Sequence, residues 1–400
     1  MELIATCAFG LEKLVRDELR NIGLWTTEVE DGRVTFSVNG KEESVSKTDF
    51  QTAIIKSNLC LRCADRIQIK MGEFEAINFD KLFDEIAALP WEKYIGPNDP
   101  FHIQATSSKC ILHSEPAIQS IVKKAVVTHL QKAHSTETLP ENSEAFYQII
   151  IKGNKDKFIV TIDTSGESLH RRGYRTQSND APMKETLAAS IIKLSDWIQD
   201  WTHPNNDAPT RSLIDTFTGS GTIPIEAALI AKNRAPGLNR SFAFEGWPWI
   251  SKEKITEIKS ELKKAEIKTN ANKESQNQFP LIFAFDIDPN TIEIAKQNAR
   301  QAGVEDMITF ECSDFNNLNF ANFENATFVT NPPYGERLEE EVAVTKMYRQ
   351  FGEKFHQTKG CSLFLITSRE DFPRLFGRAP TKNRKLFNGN LKCYLYSYLC

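Results

Sequence analysis

No stretch of the 400-residue sequence stays apolar for long enough to cross a membrane. The first residues, Met-Glu-Leu-Ile-Ala-Thr-Cys, lack the basic and apolar regions of a secretory signal peptide. Internal repeats and low-complexity segments are also missing. With 40% hydrophobic and 26% charged residues, the composition is that of an ordinary soluble globular protein. We therefore expect a cytoplasmic protein with no membrane partner, and its length predicts two or three domains.

The eight cysteines do not form a metal-binding pattern. Cys60 and Cys63 are spaced as in a CxxC pair, but the sequence offers no second pair and no histidine at zinc spacing nearby. Cys312, Cys361 and Cys393 lie inside apolar runs, which is typical of reduced, buried thiols in a cytoplasmic protein. We therefore predict a structural role for these thiols and no bound metal.

An excess of basic over acidic residues, the usual electrostatic signal of a nucleic-acid partner, is absent. The formal net charge is −4. Residues 1–180 carry 22 Lys and Arg against 26 Asp and Glu, and residues 181–400 carry 27 of each, so the whole deficit lies in the first part. The overall charge therefore gives no support for RNA or DNA binding, and any basic surface must be local.

The most informative stretch is Asn331-Pro332-Pro333-Tyr334, which follows the strand-like run 326–330. Two successive prolines can neither extend a sheet ladder nor enter a helix interior, so the chain must turn there. The turn places an amide side chain, proline carbonyls and an aromatic ring at the carboxyl end of a strand. The Asn331 oxygen and a proline carbonyl can accept the two N–H bonds of an exocyclic amine, and Tyr334 can stack on the ring that carries it. A tight turn without chemistry is the alternative interpretation.

A second pattern, upstream, predicts a nucleotide-binding loop. A short buried strand ends at Asp215, a glycine turn (Thr-Phe-Thr-Gly-Ser-Gly-Thr) follows, and helical spacing begins near Pro224. Strand, turn and helix in this order bring the backbone close to a ligand. The full dinucleotide fingerprint is not present, because Pro224 occupies the position of its third glycine. Thr218, Gly219 and Gly221 are the candidate contacts of this turn.

Two further strands are followed by acids. One apolar run ends at Asp286, where a carboxylate can hold both hydroxyls of a ribose. The run 307–312 is followed by Asp314, which is placed to meet an adenine amine. Polar side chains thus follow four successive strands, in the order Asp215, Asp286, Asp314 and Asn331. We predict that they belong to one cofactor site.

These motifs resemble those of the class I S-adenosylmethionine-dependent methyltransferases that act on exocyclic base amines. The matching segments are 215–222, 286–289 (Asp-Ile-Asp-Pro), 313–314 (Ser-Asp) and 331–338 (Asn-Pro-Pro-Tyr-Gly-Glu-Arg-Leu). Three others are similar to segments of the THUMP-containing RNA guanine-N2 methyltransferases: 169–175, 181–189 and 234–240. Within that group the chain resembles the bacterial enzymes for 23S rRNA, which are often labelled adenine-N6 DNA methylases.

The resemblance covers almost the whole chain and implies its architecture. It places a ferredoxin-like piece at 1–50, a THUMP RNA-binding domain at 51–164 and a methyltransferase domain at 165–400. The last is expected to be an α/β, Rossmann-like domain whose seven-stranded sheet ends in an antiparallel hairpin, preceded by a small α+β region. S-adenosylmethionine is the implied cofactor, held by Asp215, Thr218, Gly219, Gly221, Asp286, Asp314 and Asn331. The implied catalytic turn is Asn331, Pro332, Pro333 and Tyr334.

The sequence departs from the family pattern at two positions. Many amine methylases have Pro and Cys where this chain has Thr216 and Thr218. Neither family position takes part in the chemistry, so the departure leaves the expected reaction unchanged.

Two regions before the first glycine turn offer basic side chains for RNA. Lys123 and Lys124 lie on the predicted helix 117–132, where a solvated helix face explains them equally well. Arg172 lies with two further arginines in the polar segment 165–180, where planar guanidinium groups can clamp a phosphate or a carboxylate. This segment is also the predicted hinge between the domains.

The C-terminal hairpin offers a third basic region, in which Asn-Gly separates two β-rich runs. Residues 374–392 contain six basic residues and no acid, interleaved with phenylalanines. We predict RNA contacts from Arg378, Lys382, Arg384 and Lys385. The alternative is a solvated sheet edge that basic side chains protect from pairing.

The resemblance therefore implies a methyltransferase that methylates the N2 amine of a guanine in 23S rRNA, and we expect the protein to be a monomer. A tRNA guanine-N2 methyltransferase and a DNA adenine-N6 methylase remain alternatives, although residues 1–164 contain no recognisable DNA reader. A non-catalytic RNA-binding assembly factor is the non-enzymatic alternative, but such a protein could lose Asp286, Asp314 or Asn331 freely. A thiolation enzyme would need a pyrophosphate-binding Ser-Gly-Gly loop, which the sequence lacks.

Overall fold

The computed structural model describes residues 1–38, 47–175, 183–197, 211–274, 281–335 and 338–399. The chain forms two compact units. The first comprises Met1–Thr6, Arg16–Leu169 and Ser241–Lys259, and the second comprises Cys7–Val15, His170–Arg240 and Ser260–Cys400. Residues 176–182, which include part of the predicted hinge and the start of one family motif, lie outside the described residues.

Ten α-helices lie in the described part of the chain. They are α1 (Glu12–Asn21), α2 (Lys47–Cys60), α3 (Phe79–Ala87), α4 (Glu115–Ala133), α5 (Glu185–Leu194), α6 (Thr222–Ala231), α7 (Lys252–Glu274), α8 (Pro289–Ala302), α9 (Leu338–Phe355) and α10 (Phe372–Phe376). Among the described residues, no helix combines the length and the apolar character needed to span a membrane. None of the seven cysteines in the described ranges is disulfide-bonded.

The first unit contains a seven-stranded sheet with the order β2-β3-β1-β4-β7-β6-β5. Its strands are β1 (Leu3–Cys7), β2 (Trp25–Glu30), β3 (Arg33–Ser37), β4 (Ala64–Glu75), β5 (Phe101–Ser108), β6 (Tyr147–Asn154) and β7 (Lys157–Asp163). β5 and β6 are parallel, whereas β4 and β6 each pair with β7 in the antiparallel sense. The 12-residue strand β4 lies between β1 and β7, so the N-terminal strands and those up to residue 163 share one sheet.

The segment Ser241–Lys259 completes the first unit by aromatic packing. Trp247 is buried, and its ring stacks on Tyr147 with 4.7 Å between the ring centroids. Trp247 Nε1 also donates a hydrogen bond to the Phe146 carbonyl at 3.1 Å. Since burial and hydrogen bonding satisfy both parts of the indole, this tryptophan packs the insertion onto the sheet and does not offer a free stacking surface.

The second unit contains the other seven-stranded sheet, with the order β10-β9-β8-β11-β12-β14-β13. Its strands are β8 (Leu213–Asp215), β9 (Ile282–Asp286), β10 (Ile308–Cys312), β11 (Thr327–Thr330), β12 (Ser362–Thr367), β13 (Lys382–Asn388) and β14 (Leu391–Tyr398). The five strands β8 to β12 are parallel, and β14 pairs antiparallel with both β12 and β13. The order of the strands along the sheet reverses between β8 and β11.

Aromatic rings anchor the loops of this sheet to its core. Phe351 of α9 lies 6.0 Å from the ring of Phe217, which follows β8, and 5.8 Å from the ring of Phe315, which follows β10. The Phe217 and Phe315 rings themselves are 5.2 Å apart. The two loops are thus held by the same buried cluster, and this fixes their positions at one edge of the sheet.

The structure confirms the α/β class, the seven-stranded sheet and the antiparallel C-terminal hairpin. In the structure, Cys7–Val15 belongs to the second unit and Ser241–Lys259 to the first. The predicted division at residues 50 and 164 does not include these two assignments. Helical and strand periodicity report only local structure, so they carry no information about which unit a short segment joins.

Trp247→Ala should lower the free energy of unfolding by about 3–5 kcal/mol, because it removes a buried indole and leaves a cavity beside Tyr147. Trp25→Ala is the matched control: Trp25 is 58% exposed, so its loss should change the stability by less than about 0.5 kcal/mol. Chemical denaturation followed by circular dichroism measures both values. Equal effects of the two substitutions would contradict the packing role of Trp247.

Candidate active site

A cavity of about 1290 Å³ opens in the second unit, at the carboxyl ends of β8, β9, β10 and β11. Its walls are the loops after these four strands, one face of α9 and the tip of the β13–β14 hairpin. The strand order reverses between β8 and β11, so the loops on the two sides diverge. Open α/β sheets bind their ligands at such a switch point.

The glycine turn after β8 is held against the end of β9. Gly219 N donates to Asp286 Oδ2 at 2.9 Å, and Gly221 N donates to the Thr218 carbonyl at 2.9 Å. Gly221 has φ +86°, and a Cβ at this position would lie only 3.1 Å from the Cβ of Ala295 in α8. Gly219 lines the cavity, whereas Gly221 allows the close approach of α6 and α8 behind it.

Asp286 is fixed by the backbone on both sides. Its Oδ2 accepts the bond from Gly219, and its Oδ1 accepts from Asp288 N at 3.1 Å. Asp288 in turn caps α8 by accepting from Asn290 N at 2.9 Å. Asp286 lines the cavity, and each carboxylate oxygen can accept more than one hydrogen bond. The side chain is therefore an oriented acceptor with capacity left for hydroxyl donors.

Asp314 provides a second carboxylate at the same edge. Its Oδ1 accepts from Asn316 N at 2.8 Å, which starts a short 3₁₀ turn after β10. Phe315 and Ile287 line the cavity beside it, and Ile287 is 68% exposed. Apolar side chains beside a carboxylate acceptor suit a flat ring that carries an amine donor.

Asp215 lies behind this wall. The side chain is fully buried, and Oδ1 accepts from Thr330 Oγ1 at 2.8 Å and from Phe217 N at 3.2 Å. Oδ2 has no hydrogen-bond partner among the described residues. Burial raises the pKa of Asp215 to about 7, although the bonds from Thr330 and Phe217 act in the opposite direction. Of the predicted cofactor contacts, Gly219, Asp286, Asp314 and Asn331 line the cavity, whereas Asp215, Thr218 and Gly221 are not among its lining residues in the described part of the chain.

The Asn331-Pro332-Pro333-Tyr334 turn forms the wall after β11, and all four residues line the cavity. Tyr334 Oη donates to Asn331 Oδ1 at 2.6 Å. Tyr348 of α9 donates to the Pro333 carbonyl at 2.9 Å. The predicted acceptors are therefore present at the cavity, and each already has one donor inside the protein.

Two parts of the wall were not predicted. Ala343, Val344 and Met347 form one face of α9, and Asn388 and Leu391 form the tip of the C-terminal hairpin. The helical spacing of the first three and the Asn-Gly turn are visible in the sequence. Their convergence on this cavity depends on the position of the hairpin beside β12, which no local pattern contains.

Arg172 does not lie where its predicted RNA contact requires. It is 3% exposed, and its Nε lies 3.5 Å from Glu226 Oε1. Tyr174 Oη donates to the same carboxylate oxygen at 3.2 Å. A buried guanidinium paired with a carboxylate inside the unit cannot reach a phosphate at the surface, so Arg172 has a structural role.

The remaining predicted RNA contacts are exposed. Lys123 and Lys124 lie on the solvent side of α4, and Lys123 is paired with Glu141 at 3.8 Å. The hairpin residues Arg378, Lys382, Arg384 and Lys385 are all exposed. Exposure agrees with RNA contact and with a solvated surface alike, so both interpretations stay open for Lys123 and Lys124. Among the described residues, no cluster of three or more His, Cys, Asp or Glu is arranged to hold a metal ion.

Comparison with protein families identifies the second unit. Residues 172–397 match the family described as "RMKL-like, methyltransferase domain". The chain belongs to this family. Residues 2–68 match the RlmL ferredoxin-like domain, and residues 76–163 match the THUMP domain. The predicted THUMP module, the methyltransferase fold and the dependence on S-adenosylmethionine are thereby confirmed.

Relatives match along the whole chain. The "Putative RNA methyltransferase YpsC" of Bacillus subtilis is 39% identical over 99% of this chain and 95% of its own length. The "Ribosomal RNA large subunit methyltransferase K/L" of Syntrophotalea carbinolica is 30% identical over 100% of this chain and 53% of its own length. The chain thus spans about half the length of this K/L protein. The crystal structure of SMU.472, complexed with SAH, is 41% identical with a TM-score of 0.85, and the match covers 100% of this chain and 97% of that one.

Asp215→Asn should stabilise the RMKL-like protein more at high pH than at low pH. Because the pKa of Asp215 is raised on folding, this side chain binds its proton more tightly in the folded state, and stability is lost as the pH rises toward and through 7. Asn does not titrate, so the difference in unfolding free energy between variant and parent should grow from about pH 4 to about pH 7, by at most about 4 kcal/mol, and then level off. Denaturation at several pH values measures it. A difference that stays constant would contradict the raised pKa.

Proposed function

We propose that this chain transfers the methyl group of S-adenosylmethionine to the N2 amine of a guanine in 23S rRNA. The observation that carries the proposal is the position of Asn331 Oδ1. It is a side-chain acceptor at the carboxyl end of β11, in the same cavity as the carboxylates of Asp286 and Asp314. The names of the YpsC and K/L relatives support RNA, and rRNA in particular, as the substrate.

The residues present fit the cofactor of the family. Asp286 is an oriented carboxylate acceptor for the two ribose hydroxyls, and Asp314 is an acceptor for the adenine amine, with Ile287 and Phe315 beside the ring. Gly219 brings the backbone to the cavity surface without a side chain in the way. Oδ2 of Asp215, directly behind the turn, has no hydrogen-bond partner among the described residues, and a cation nearby would favour the charged form that burial disfavours.

The chemistry then requires positioning and no nucleophile from the chain. S-adenosylmethionine supplies a methyl group on a sulfonium centre, which an amine can attack directly. Asn331 Oδ1 accepts one N–H of the target amine, and a proline carbonyl of the turn accepts the other. These bonds aim the nitrogen lone pair away from the base ring and toward the methyl group. The proton released afterwards passes to solvent, since an amide oxygen does not hold a proton at neutral pH.

Tyr334 supplies the ring that stacks on the target base. In the structure its hydroxyl donates to the same oxygen that the target amine would use. We therefore assign this hydroxyl the task of holding Asn331 in its acceptor orientation before the substrate binds. The amine then takes the second lone pair of Oδ1 or replaces the hydroxyl as donor.

The division of labour belongs to the same proposal. Residues 51–164 would hold RNA, residues 165–400 would carry out the transfer, and the chain would act as a monomer in the cytoplasm. Tritium transfer from labelled cofactor to rRNA, tRNA and DNA of a strain that lacks the gene tests the substrate. Nucleoside analysis then separates N2-methylguanine from N6-methyladenine, because both target groups are exocyclic amines that Asn331 can accept. Label in DNA alone would contradict the proposal.

Asp286→Ala should weaken the binding of S-adenosylmethionine by about 2–5 kcal/mol, since two charge-assisted hydrogen bonds are lost. Glu293→Ala on α8 is the control, because its carboxylate is exposed and pairs with Lys296 at 2.7 Å, and it is not among the residues described as lining the cavity. Calorimetric titration measures both affinities, and circular dichroism shows that both variants are folded. Unchanged affinity of the Asp286 variant would remove this residue from the site.

Asn331→Ala should leave cofactor affinity nearly intact and lower the methylation rate about a hundredfold or more, the scale for one preorganised polar contact. Tyr334→Ala should weaken the RNA step by about 1–3 kcal/mol, the value of a stacked base. Tyr334→Phe should cost much less, because the ring remains and only the hydroxyl bond that orients Asn331 is lost. Single-turnover rates with bound RNA separate these effects. If Tyr334→Phe were as damaging as Tyr334→Ala, the hydroxyl and not the ring would be the working group.

A further inference from the structure

An N-terminal turn of the chain belongs to the second unit. The segment Cys7–Val15 is part of that unit, and a backbone hydrogen bond closes the turn at residues 8–11. Arg384 Nη1 donates to the Gly10 carbonyl at 3.0 Å, and a Cβ at Gly10 would lie 3.5 Å from the Lys385 carbonyl oxygen. The turn is therefore held in one place against the edge strand β13.

Phe9 occupies the tip of this turn. Gly10 has φ +88°, as the third residue of a type II turn requires, and its N–H donates to Glu12 Oε1 at 3.0 Å. Phe9 is the second residue and is 47% exposed. Among the phenylalanines in the described part of the chain, only Phe9 and Phe146 are highly exposed. A turn held by three hydrogen bonds that presents a ring to solvent is a preorganised contact for a flat ligand.

Exposed basic residues lie on the strand that holds this turn. Lys382, Arg384 and Lys385 are exposed on β13, which is the outermost strand of its sheet. The strand runs on to Asn388, which lines the cavity. Lys385 lies three residues before Asn388, a distance of about 10 Å at about 3.3 Å per residue. A polymer with one unit in the cavity can therefore reach the ring and the cations with its next few units.

A ligand that satisfies both features must offer flat faces and closely spaced negative charges. Unpaired nucleotides do so, because the base stacks on an aromatic ring while the phosphate pairs with a basic side chain. We propose that Phe9, with Lys382 and Lys385 of β13, forms a subsite that stacks an unpaired RNA base next to the nucleotide in the cavity. Arg384 is the positioning residue of this subsite, since it holds the turn. The inference rests on the proposed function, from which it takes RNA as the substrate.

The test compares four variants with the unaltered chain at saturating S-adenosylhomocysteine. Phe9→Ala and Phe9→Leu should each weaken the binding of a short fluorescein-labelled single-stranded RNA about tenfold in fluorescence anisotropy, because neither retains a stacking ring. Phe9→Trp should keep the parent affinity, and RNA should quench the fluorescence of the added indole. Phe146→Ala is the matched control, with 50% exposure of the original ring but a place in the first unit, and should bind as the parent does.

Several outcomes would overturn the subsite. Phe9→Leu binding as tightly as Phe9→Trp would show an apolar contact without stacking, and equal losses for Phe9→Ala and Phe146→Ala would show non-specific adhesion. Weakened cofactor binding by Phe9→Ala in calorimetry would reveal a structural defect instead. The same Phe9 dependence with single-stranded DNA of equal affinity would remove the assignment to RNA.

The two proposals fail in different ways. If Phe9→Ala binds RNA and methylates rRNA as the unaltered chain does, the subsite is wrong and the proposed function stands. If the unaltered chain neither binds nor methylates any RNA, the proposed function fails, and the subsite fails with it. Loss of RNA affinity in Phe9→Ala, with unchanged cofactor affinity and quenching in Phe9→Trp, supports both.

Discussion

The hydrogen bond from Thr330 Oγ1 to the buried carboxylate of Asp215 joins the ends of the two central strands of the second sheet. The two residues are 115 positions apart in the sequence, and the strands they end, β8 and β11, are adjacent and parallel. Because the strand order reverses here, the loops beyond them separate and leave the cavity between them. The proposed contacts of the cofactor and of the target amine lie on these two loops, on the loops after the neighbouring strands β9 and β10, or directly behind them. The burial that raises the pKa of Asp215 belongs to the same arrangement, since a carboxylate at the centre of the sheet is shielded on every side.

Side chains of the helix α9 hold the walls of the cavity in place, in addition to the hydrogen bonds within the loops. Tyr348 of α9 holds the Pro333 carbonyl, and the ring of Phe351 packs against the loop residues Phe217 and Phe315. Positioning an amine for direct transfer needs acceptors that do not move when the substrate arrives. The aromatic core around α9 therefore contributes to function as well as to stability, because it fixes the loops that carry the acceptors.

The positions of the central site residues could be predicted from the sequence because each depends on a short stretch of chain. Asp286 and Asp314 follow apolar strands, and Asn331 precedes two prolines, so local rules suffice to place them at strand ends. Parallel strands then bring such ends to one edge. The prediction for Arg172 was wrong for a complementary reason: its segment is polar and looks like a surface hinge, yet Glu226 of α6 lies against it. A partner 54 positions away on a buried helix cannot be inferred from the amino-acid composition around Arg172.

The sequence by itself determined the strand, glycine turn and helix around Asp215, and the polar residue that ends or follows each central strand. These depend on periodicity, on the backbone limits of proline and glycine, and on the chemistry of single side chains. Only the tertiary structure decided that the hairpin tip at Asn388 and Leu391 lines the cavity, and that the turn with Phe9 lies against the edge strand β13. Both depend on contacts between segments far apart in the chain. Their free energy comes from the burial and hydrogen bonding of the assembled unit, which no stretch of sequence possesses alone.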